Sequence, residues 1–394
     1  MLTVLSVIGT RPEAIKMAPV VRELDQYPDQ IRSVVCAAGQ HREMLNQVLQ
    51  LFEITPDVNL DVMQPDQTLA QLTAKLFTAF DGVITDVQPD WILAQGDTTT
   101  VFVAAMAAFY RHVRFGHVEA GLRTGDKRKP FPEEVNRRIA DVVADLYFAP
   151  TALAARALIT EGCAEHDVYI TGNTVIDALH SVVERRYDWN AGPLAGIPAD
   201  HPLVLITAHR RESFGEPFRD LCLAIRDLAI AFRDDGLQFV YPVHLNPNVR
   251  EPVSAILSQL PNVWLIEPLD YLSFVHLMKC SILVLTDSGG IQEEAPGLQL
   301  PVLVMRETTE RPEGLESGFV RLVGTDRRRI VAAATEVLRG PRNAGCGTPS
   351  VSPYGDGKAA RRIVRILLER SSDVRRSDPF SPLLRQKRGL HAES

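Results

Sequence analysis

The run Thr286-Asp-Ser-Gly-Gly-Ile-Gln-Glu-Glu-Ala-Pro296 holds the residue types an anion site needs. The apolar stretch Ile282–Thr286 reads as a buried parallel strand, and Ile291 to Ala295 can open a helix. A strand, then Ser288, Gly289 and Gly290, then a helix N-terminus makes a cradle for negative charge. Glycines admit close approach of the backbone, amides point at the ligand, and the helix dipole favours an anion. Glu293 and Glu294 sit one turn into that helix, within reach of a ribose diol. Short glycine runs are also ordinary strand-to-helix turns, so this signal needs support from elsewhere in the chain.

Three other segments supply it. Gln95-Gly-Asp-Thr-Thr-Thr100 follows the strand Trp91–Ala94, and His117-Val-Glu-Ala-Gly-Leu-Arg-Thr124 follows a strand that begins at Val113. Pro130-Phe-Pro-Glu-Glu-Val-Asn-Arg-Arg138 follows a basic loop. Each puts a carboxylate beyond a strand or at a helix start, and ligands of open α/β sheets bind at the carboxyl ends of strands. Asp97, Glu119 and Glu133 can therefore converge on one crevice. Taken singly, each is better read as a helix cap or a first-turn charge. Together, facing a phosphate cradle, they point to acid–base chemistry.

Cationic residues complete the set. Gly9-Thr-Arg-Pro-Glu-Ala-Ile-Lys-Met-Ala-Pro19 follows the first strand, with Gly9 in the turn and Arg11 at the next helix N-terminus, aimed at a diphosphate or a base. Thr207-Ala-His-Arg-Arg-Glu-Ser213 places His209 at the edge of the second half, facing the carboxylates as an acid or an electrostatic clamp. His244 holds a similar place after the next strand, and the charges of Thr308–Gly314 either close over a sugar or cap a helix.

The elements that must hold these groups follow from patterning. Strands are expected at Leu2–Ile8, Ile31–Ala37, Trp91–Ala94, Val113–His117, Leu146–Ala149 and Asp167–Ile170. A second series is Leu203–Ala208, Phe239–Val243, Val263–Ile266, Ile282–Thr286, Val302–Met305 and Val320–Val323. Helical patterns separate most of them, and such alternation means parallel sheets covered on both faces. The fold class is therefore α/β, two Rossmann-like domains with parallel sheets facing a central cleft. The expected division is 1–172, carrying the carboxylates, and 173–370, carrying the anion cradle. The joint lies near a helix at Val175–Tyr187. A last helix at 357–370 is expected to pack back on the first domain, and 371–394 to be a flexible tail.

Composition sets the outer bounds. At 394 residues the chain has room for two domains of about 150 residues or more each. The net charge of −7 argues against nucleic acid or an anionic membrane as partner. The N-terminus Met1-Leu-Thr-Val-Leu reads as a strand, not a signal peptide, and no apolar run approaches the length of a membrane span. Cys36, Cys163, Cys222, Cys280 and Cys346 are scattered and odd in number, as in a reduced cytoplasmic protein. No H-E-x-x-H spacing and no G-x-G-x-x-G after a strand is present, so neither a metal nor a dinucleotide cofactor is expected.

The motifs GTRPEAIKMAP, GQHREML, GDTTTV, GHVEAGLRTGD, PEEVNRRIAD, TGNTVIDAL, TAHRRESFGEP, YPVHLNPNVREPV, TDSGGIQEEAP, PVLVMRETTERPEG and SPYGDG occur in this order. Together, over about Leu2 to Arg370, the chain resembles the bacterial non-hydrolysing UDP-N-acetylglucosamine 2-epimerases. The resemblance implies a glycosyltransferase-B-like architecture, a homodimer, and interconversion of UDP-GlcNAc with UDP-ManNAc for polysaccharide synthesis. It assigns UDP contacts to Arg11, Ser288, Gly289, Gly290 and Glu294, and catalysis to Asp97, Glu119, Glu133 and His209. It also implies a second, activating UDP-GlcNAc held by Gln40, Gln67, Arg210, Glu212 and His244. At Glu43 and Asp66 the chain departs from activated members, which carry Gln and Arg there, so weak activation is expected.

Inverting carbon 2 of such a sugar is hard because its C–H is barely acidic. Elimination solves this: UDP leaves, positive charge builds on the ring, the proton becomes removable, and a 2-acetamidoglucal results. UDP then returns while a proton arrives at the other face. The route needs a held diphosphate, two acid–base groups flanking carbon 2, and exclusion of water.

Overall fold

The protein, seen here as a computed structural model, is described over residues 1–39, 42–64, 66–340 and 352–377, with 42–44 and 372–377 as backbone only. Its described strands form two wholly parallel sheets. The first contains β1 (Leu2–Ile8), β2 (Ile31–Ala37), β3 (Val58–Asn59), β4 (Trp91–Gln95), β5 (Arg114–Val118), β6 (Leu146–Ala149) and β7 (Val168–Ile170), in the order β3-β2-β1-β4-β5-β6-β7. The second contains β8 (Leu203–Thr207), β9 (Gln238–Pro242), β10 (Val263–Ile266), β11 (Ser281–Thr286), β12 (Val302–Val304) and β13 (Val320–Leu322), in the order β10-β9-β8-β11-β12-β13. Every residue of β4 and β8 is buried, which is why these strands read as apolar runs broken only at their last residues, Gln95 and Thr207.

Both sheets reverse their strand order once, between β1 and β4 and between β8 and β11. Such switch points open a crevice at the carboxyl ends of the strands. Arg11 and Asp97 follow the strands of the first reversal, and His209 and Ser288 follow those of the second. Local chemistry fixes the first turn. Thr10 and Glu13 form a reciprocal capping box for the helix Arg11–Leu24, with Pro12 in its first turn. A Cβ on Gly9 would come within 2.4 Å of Thr100 Oγ1, so only glycine lets the β1 turn pass this closely over the helix after β4.

One apolar cluster joins the two sheets. It runs from β1 through the helices Arg11–Leu24, Thr174–Val183 and Ala359–Ser377 to β11 and β12. The helix expected at Val175–Tyr187 starts at Thr174, capped by the Asn173 side chain (3.0 Å to Val175 N), and stops at Val183. The run Glu184-Arg185-Arg186 offers no apolar residue to bury another turn. The short β3, only two residues, has no pattern to betray it.

The last helix differs from its expected span of 357–370. It covers Ala359–Ser377, so residues 371–377, expected to belong to a tail, are helical instead. Ser371 is buried and accepts a hydrogen bond from Trp91 Nε1 (3.0 Å), which docks this helix on the first sheet. Asp177 caps its other end, accepting from the amides of Ala359 and Ala360 at 3.1 and 2.9 Å. Residues 378–394 lie outside the described structure.

Candidate active site

The carboxyl ends of the two sheets face each other across a cleft of about 580 Å³. Arg11, Glu13, Lys16, Asp97 and Glu119 line it from the first sheet. His209, His244, Ser288, Gly290, Glu294 and Arg311 line it from the second.

The anion end is built around β11. Ser288 is the N-cap of the helix Gly289–Gly297 and gives that helix no side-chain cap, so the first-turn amides are left for a ligand. A Cβ on Gly289 would lie 3.2 Å from the Arg311 guanidinium and 3.5 Å from Arg210 Nη2, so two cations crowd this N-terminus. Arg11 donates to the Leu269 carbonyl at 3.1 Å across the cleft. Glu294 accepts from the Tyr271 hydroxyl at 3.0 Å. The amides of His209 and Arg210 both donate to the buried Asp287 carboxylate (2.7 and 2.8 Å), which fixes the turn after β8. The His209 ring stacks on His244 with centroids 5.4 Å apart and planes 13° from parallel. Burial lowers the His209 pKa, and the neighbouring His244 and Arg210 lower it further against the pull of Asp287. The ring is therefore neutral at pH 7.

The carboxylate end is more tightly knit. Lys16 Nζ lies 2.5 Å from Glu119 Oε2 and 2.9 Å from Glu293 Oε2, so one buried ammonium joins the two sheets' helices. Asn173 Nδ2 donates to the same two carboxylates (3.0 and 3.3 Å), and Arg311 Nε donates to Glu293 Oε1 (2.7 Å). Burial pushes the Glu119 carboxyl above the usual range, Glu293 adds to that, and Lys16 pulls back. Burial acts on Glu293 too, but Lys16 and Arg311 outweigh it and hold that carboxyl ionised. Glu119 also has φ 66°, a left-handed conformation costing about 1 kcal/mol for a non-glycine residue.

Asp97 is ion-paired with Arg137, while Asn136 Nδ2 holds its carbonyl at 3.0 Å. Glu133 opens the helix Glu133–Val143, and its Oε2 is buried without a hydrogen-bond partner. Its neighbour Glu134 is spent on structure, taking the amides of Thr124 and Gly125 (3.1 and 3.3 Å). Among the described residues no helix is long and apolar enough to cross a membrane, and no group of three or more His, Cys, Asp or Glu is placed to hold a metal ion.

A family model for UDP-N-acetylglucosamine 2-epimerase matches residues 22–368. The chain belongs to the UDP-N-acetylglucosamine 2-epimerase family. It is 50% identical over 370 residues to the UDP-N-acetylglucosamine 2-epimerase of Escherichia coli K12, covering 92% of this chain and 98% of that one. The crystal structure of the UDP-GlcNAc 2-epimerase of Neisseria meningitidis bound to UDP-GlcNAc superposes with a TM-score of 0.85 at 45% identity, covering 93% of this chain and 100% of that one. The Methanocaldococcus jannaschii UDP-GlcNAc 2-epimerase in complex with UDP-GlcNAc and UDP gives 0.78 at 31% identity, covering 93% and 99%. The fold is thus the glycosyltransferase-B-like pair of α/β domains that the sequence pattern implied.

Within this epimerase fold the residues expected to hold an activator are spread out. Arg210 and Glu212 line a second, wider cavity of about 1230 Å³ beside the loop 121–131, where Glu212 pairs with Arg306 at 2.7 Å. His244 lines the smaller cleft, and the Gln67 amide turns back to the Val62 carbonyl at 3.3 Å. Gln40 lies outside the described residues.

Sequence reading passed over Lys16, Glu13, Asn173 and Asp287. For Lys16 a signal existed: a lone lysine among Ile15, Met17 and Ala18 sits on a face that should be buried. Glu13 closes the capping box with Thr10, and its Oε1 is buried at the cleft wall without a hydrogen-bond partner.

Glu13 and Glu294 yield a pH prediction. Both are enclosed, and burial pushes each carboxyl from 4.5 to about 7. A raised folded-state value means a contribution to stability that is present at low pH and lost as pH rises through the folded value. Between pH 4.5 and about 7 this amounts to at most about 3 kcal/mol per group. The urea midpoint of the free protein is expected to fall from pH 6 to pH 8. Glu294→Gln is expected to flatten that fall, and an unchanged slope would mean that Glu294 is already ionised at pH 6.

Proposed function

We propose that the protein interconverts UDP-GlcNAc and UDP-ManNAc by elimination and re-addition of UDP, without releasing free sugar. The observation that carries the reading is the opposition of Asp97 and Glu119 to the uncapped helix N-terminus at Ser288 across one cleft. The α,β-diphosphate lies against the amides of Gly289 and Gly290, with Arg210 and Arg311 beside it and Arg11 and Glu294 toward the nucleoside. His209, neutral when the site is empty, takes a proton as the diphosphate binds and helps carry the charge of departing UDP. Asp97, Glu119 and Glu133 supply the groups that remove and return the carbon 2 proton. The two domains, divided near residue 172, close over the site so that the glycal intermediate meets UDP and not water.

In heavy water, UDP-GlcNAc is expected to gain deuterium at carbon 2 while equilibrating with UDP-ManNAc, with no added NAD and no inhibition by EDTA. Epimerisation that keeps the original hydrogen would sink the elimination route. Accumulation of free ManNAc and UDP would instead mark a hydrolysing enzyme, and no exchange at all would mark a transferase.

Activation by a second UDP-GlcNAc is weak in this reading. Asp66 is exposed and puts an anion where an activator diphosphate gains from a cation. Such an exchange of sign weakens binding by about tenfold. UDP-ManNAc is expected to turn over without a long lag when no UDP-GlcNAc is present, and Asp66→Arg to sharpen activation by added UDP-GlcNAc. A strict requirement for low micromolar UDP-GlcNAc in the unmodified protein would overturn this.

A further inference from the structure

Behind the cleft, on β5, His117 is completely buried two residues before Glu119. Its Nδ1 lies 2.6 Å from Asp141 Oδ1, and its Nε2 lies 2.7 Å from the Gly96 carbonyl oxygen. A carbonyl oxygen only accepts, so Nε2 must carry a hydrogen. Asp141 also accepts from Arg123 Nη2 at 2.7 Å, and Arg123 is held in turn by Glu161 (2.9 and 2.8 Å). The Asp141 carboxylate is therefore ionised, and Nδ1 must carry a hydrogen as well. Both ring nitrogens donate, which only an imidazolium can do.

The two partners of this ring are parts of the acid–base apparatus. Gly96 has φ 88° and immediately precedes Asp97. The Gly96 amide donates to Val118 O at 3.1 Å, so the turn is also tied to β5 just before Glu119. Asp141 belongs to the helix Glu133–Val143, which carries Glu133 at its first position, Asn136 on the Asp97 carbonyl, and Arg137 on the Asp97 carboxylate. One ring thus joins the turn bearing Asp97, the strand leading to Glu119, and the helix bearing Glu133.

We propose that His117, as a standing imidazolium clasped between Asp141 and the Gly96 carbonyl, is a positioning residue that sets the spacing of Asp97, Glu119 and Glu133 around the reacting carbon. The inference rests on the reaction proposed above. Proton transfer to either face of carbon 2 tolerates only small displacements of the carboxylates, and charge-assisted hydrogen bonds hold geometry better than neutral ones. A neutral ring has one N–H and must release either Asp141 or Gly96. The groups that face the ring are Asp141 and Arg123, then Glu161 beyond Arg123, with the Tyr147 hydroxyl on the Asp141 carbonyl (2.9 Å) and Cys163 next to Tyr147. Burial opposes the charge, but Asp141 and the Gly96 carbonyl overcome burial and Arg123, and the ring stays above the ordinary histidine value.

The test has two arms. In the wild-type enzyme labelled with 15N-histidine, with His117 assigned by comparison with His117→Gln, both ring nitrogens are expected to be protonated from pH 6 to pH 8. In a deuterium wash-in assay, His117→Asn and Asp141→Asn are each expected to lower kcat by about a hundredfold. UDP affinity and KM should stay within about twofold, because the diphosphate contacts lie in the other domain. A single protonated ring nitrogen in the wild type at neutral pH overturns the proposal even if the variants do not fold. A folded His117→Asn that keeps its kcat, or loses UDP binding in parallel, also overturns it. A wild type that exchanges no deuterium sinks the reaction itself, whereas an active wild type with an indifferent His117→Asn sinks the clasp alone.

Discussion

Glu133→Gln, Asp97→Asn and Glu119→Gln are each expected to lower turnover by about two to four orders of magnitude, the usual worth of a positioned acid or base. The three substitutions keep shape and remove only the ability to exchange a proton at neutral pH. The surroundings differ, and so does what each variant leaves behind. Glu133 has an oxygen with no partner, so Glu133→Gln disturbs no observed contact and gives the cleanest reading of chemistry. Asp97→Asn releases Arg137, which retains Glu134 at 3.4 Å. Glu119→Gln releases Lys16, which retains Glu293 at 2.9 Å. None of the three leaves a buried cation without a counter-charge, so all should fold. UDP affinity should move far less than kcat, because Ser288, Gly289, Gly290 and the flanking arginines remain. Single-turnover rates with saturating UDP-GlcNAc, set beside UDP binding by calorimetry, separate the two quantities. Loss of UDP affinity with turnover preserved at saturation would make these residues binding groups.

Most of the fold was legible in the sequence, because parallel strands covered on both faces are apolar throughout and alternate with helices. Leu2–Ile8, Ile31–Ala37, Leu146–Ala149 and Val263–Ile266 were placed to the residue. The turn at Ser288-Gly289-Gly290 was equally legible, since a strand precedes it and a helix follows it, as the structure has it. The ion network was not. Lys16 lies 277 positions from Glu293 and 103 from Glu119, and sequence patterning says nothing of contacts between helices of different sheets. Glu293 and Glu294 looked alike as candidates for a ribose. Successive helical positions face different ways, so one turned to Lys16 and Arg311 and the other to Tyr271. Ser371, in Ser-Ser-Asp after a charged helix, looked like the start of a tail because its partner, the buried Trp91 indole, comes 280 residues earlier.

The same network bears the second large effect. Lys16→Met keeps the length and apolar stem of the side chain but removes the cation that contacts both Glu119 and Glu293 directly. Glu293 still has Arg311 in direct contact, whereas Glu119 keeps a hydrogen bond from Asn173 and only the more distant charge of Arg311. Breaking a buried pair by deleting one partner costs about 3–5 kcal/mol, mostly because the remaining charge is stranded. Glu119, already pushed above the ordinary carboxylate range by burial, rises further once Lys16 no longer opposes Glu293. The sign of the pH dependence follows: a carboxyl with a raised folded-state value adds stability at low pH and loses it as pH increases. The penalty of Lys16→Met in urea unfolding is therefore expected to be largest near pH 8 and to shrink toward pH 5, where Glu119 takes up a proton. A mere packing defect would cost the same at both. Activity should report the same shift, with the limb of the kcat profile that depends on ionised Glu119 displaced to higher pH. Lys16→Arg, which preserves the charge in a larger head, should recover most of the stability but little of the rate, because the guanidinium cannot occupy the 2.5 and 2.9 Å positions of the ammonium without moving both carboxylates. A pH-independent penalty, together with an unshifted kcat profile, would mean that Lys16 fills space between the domains and does not set the charge of Glu119.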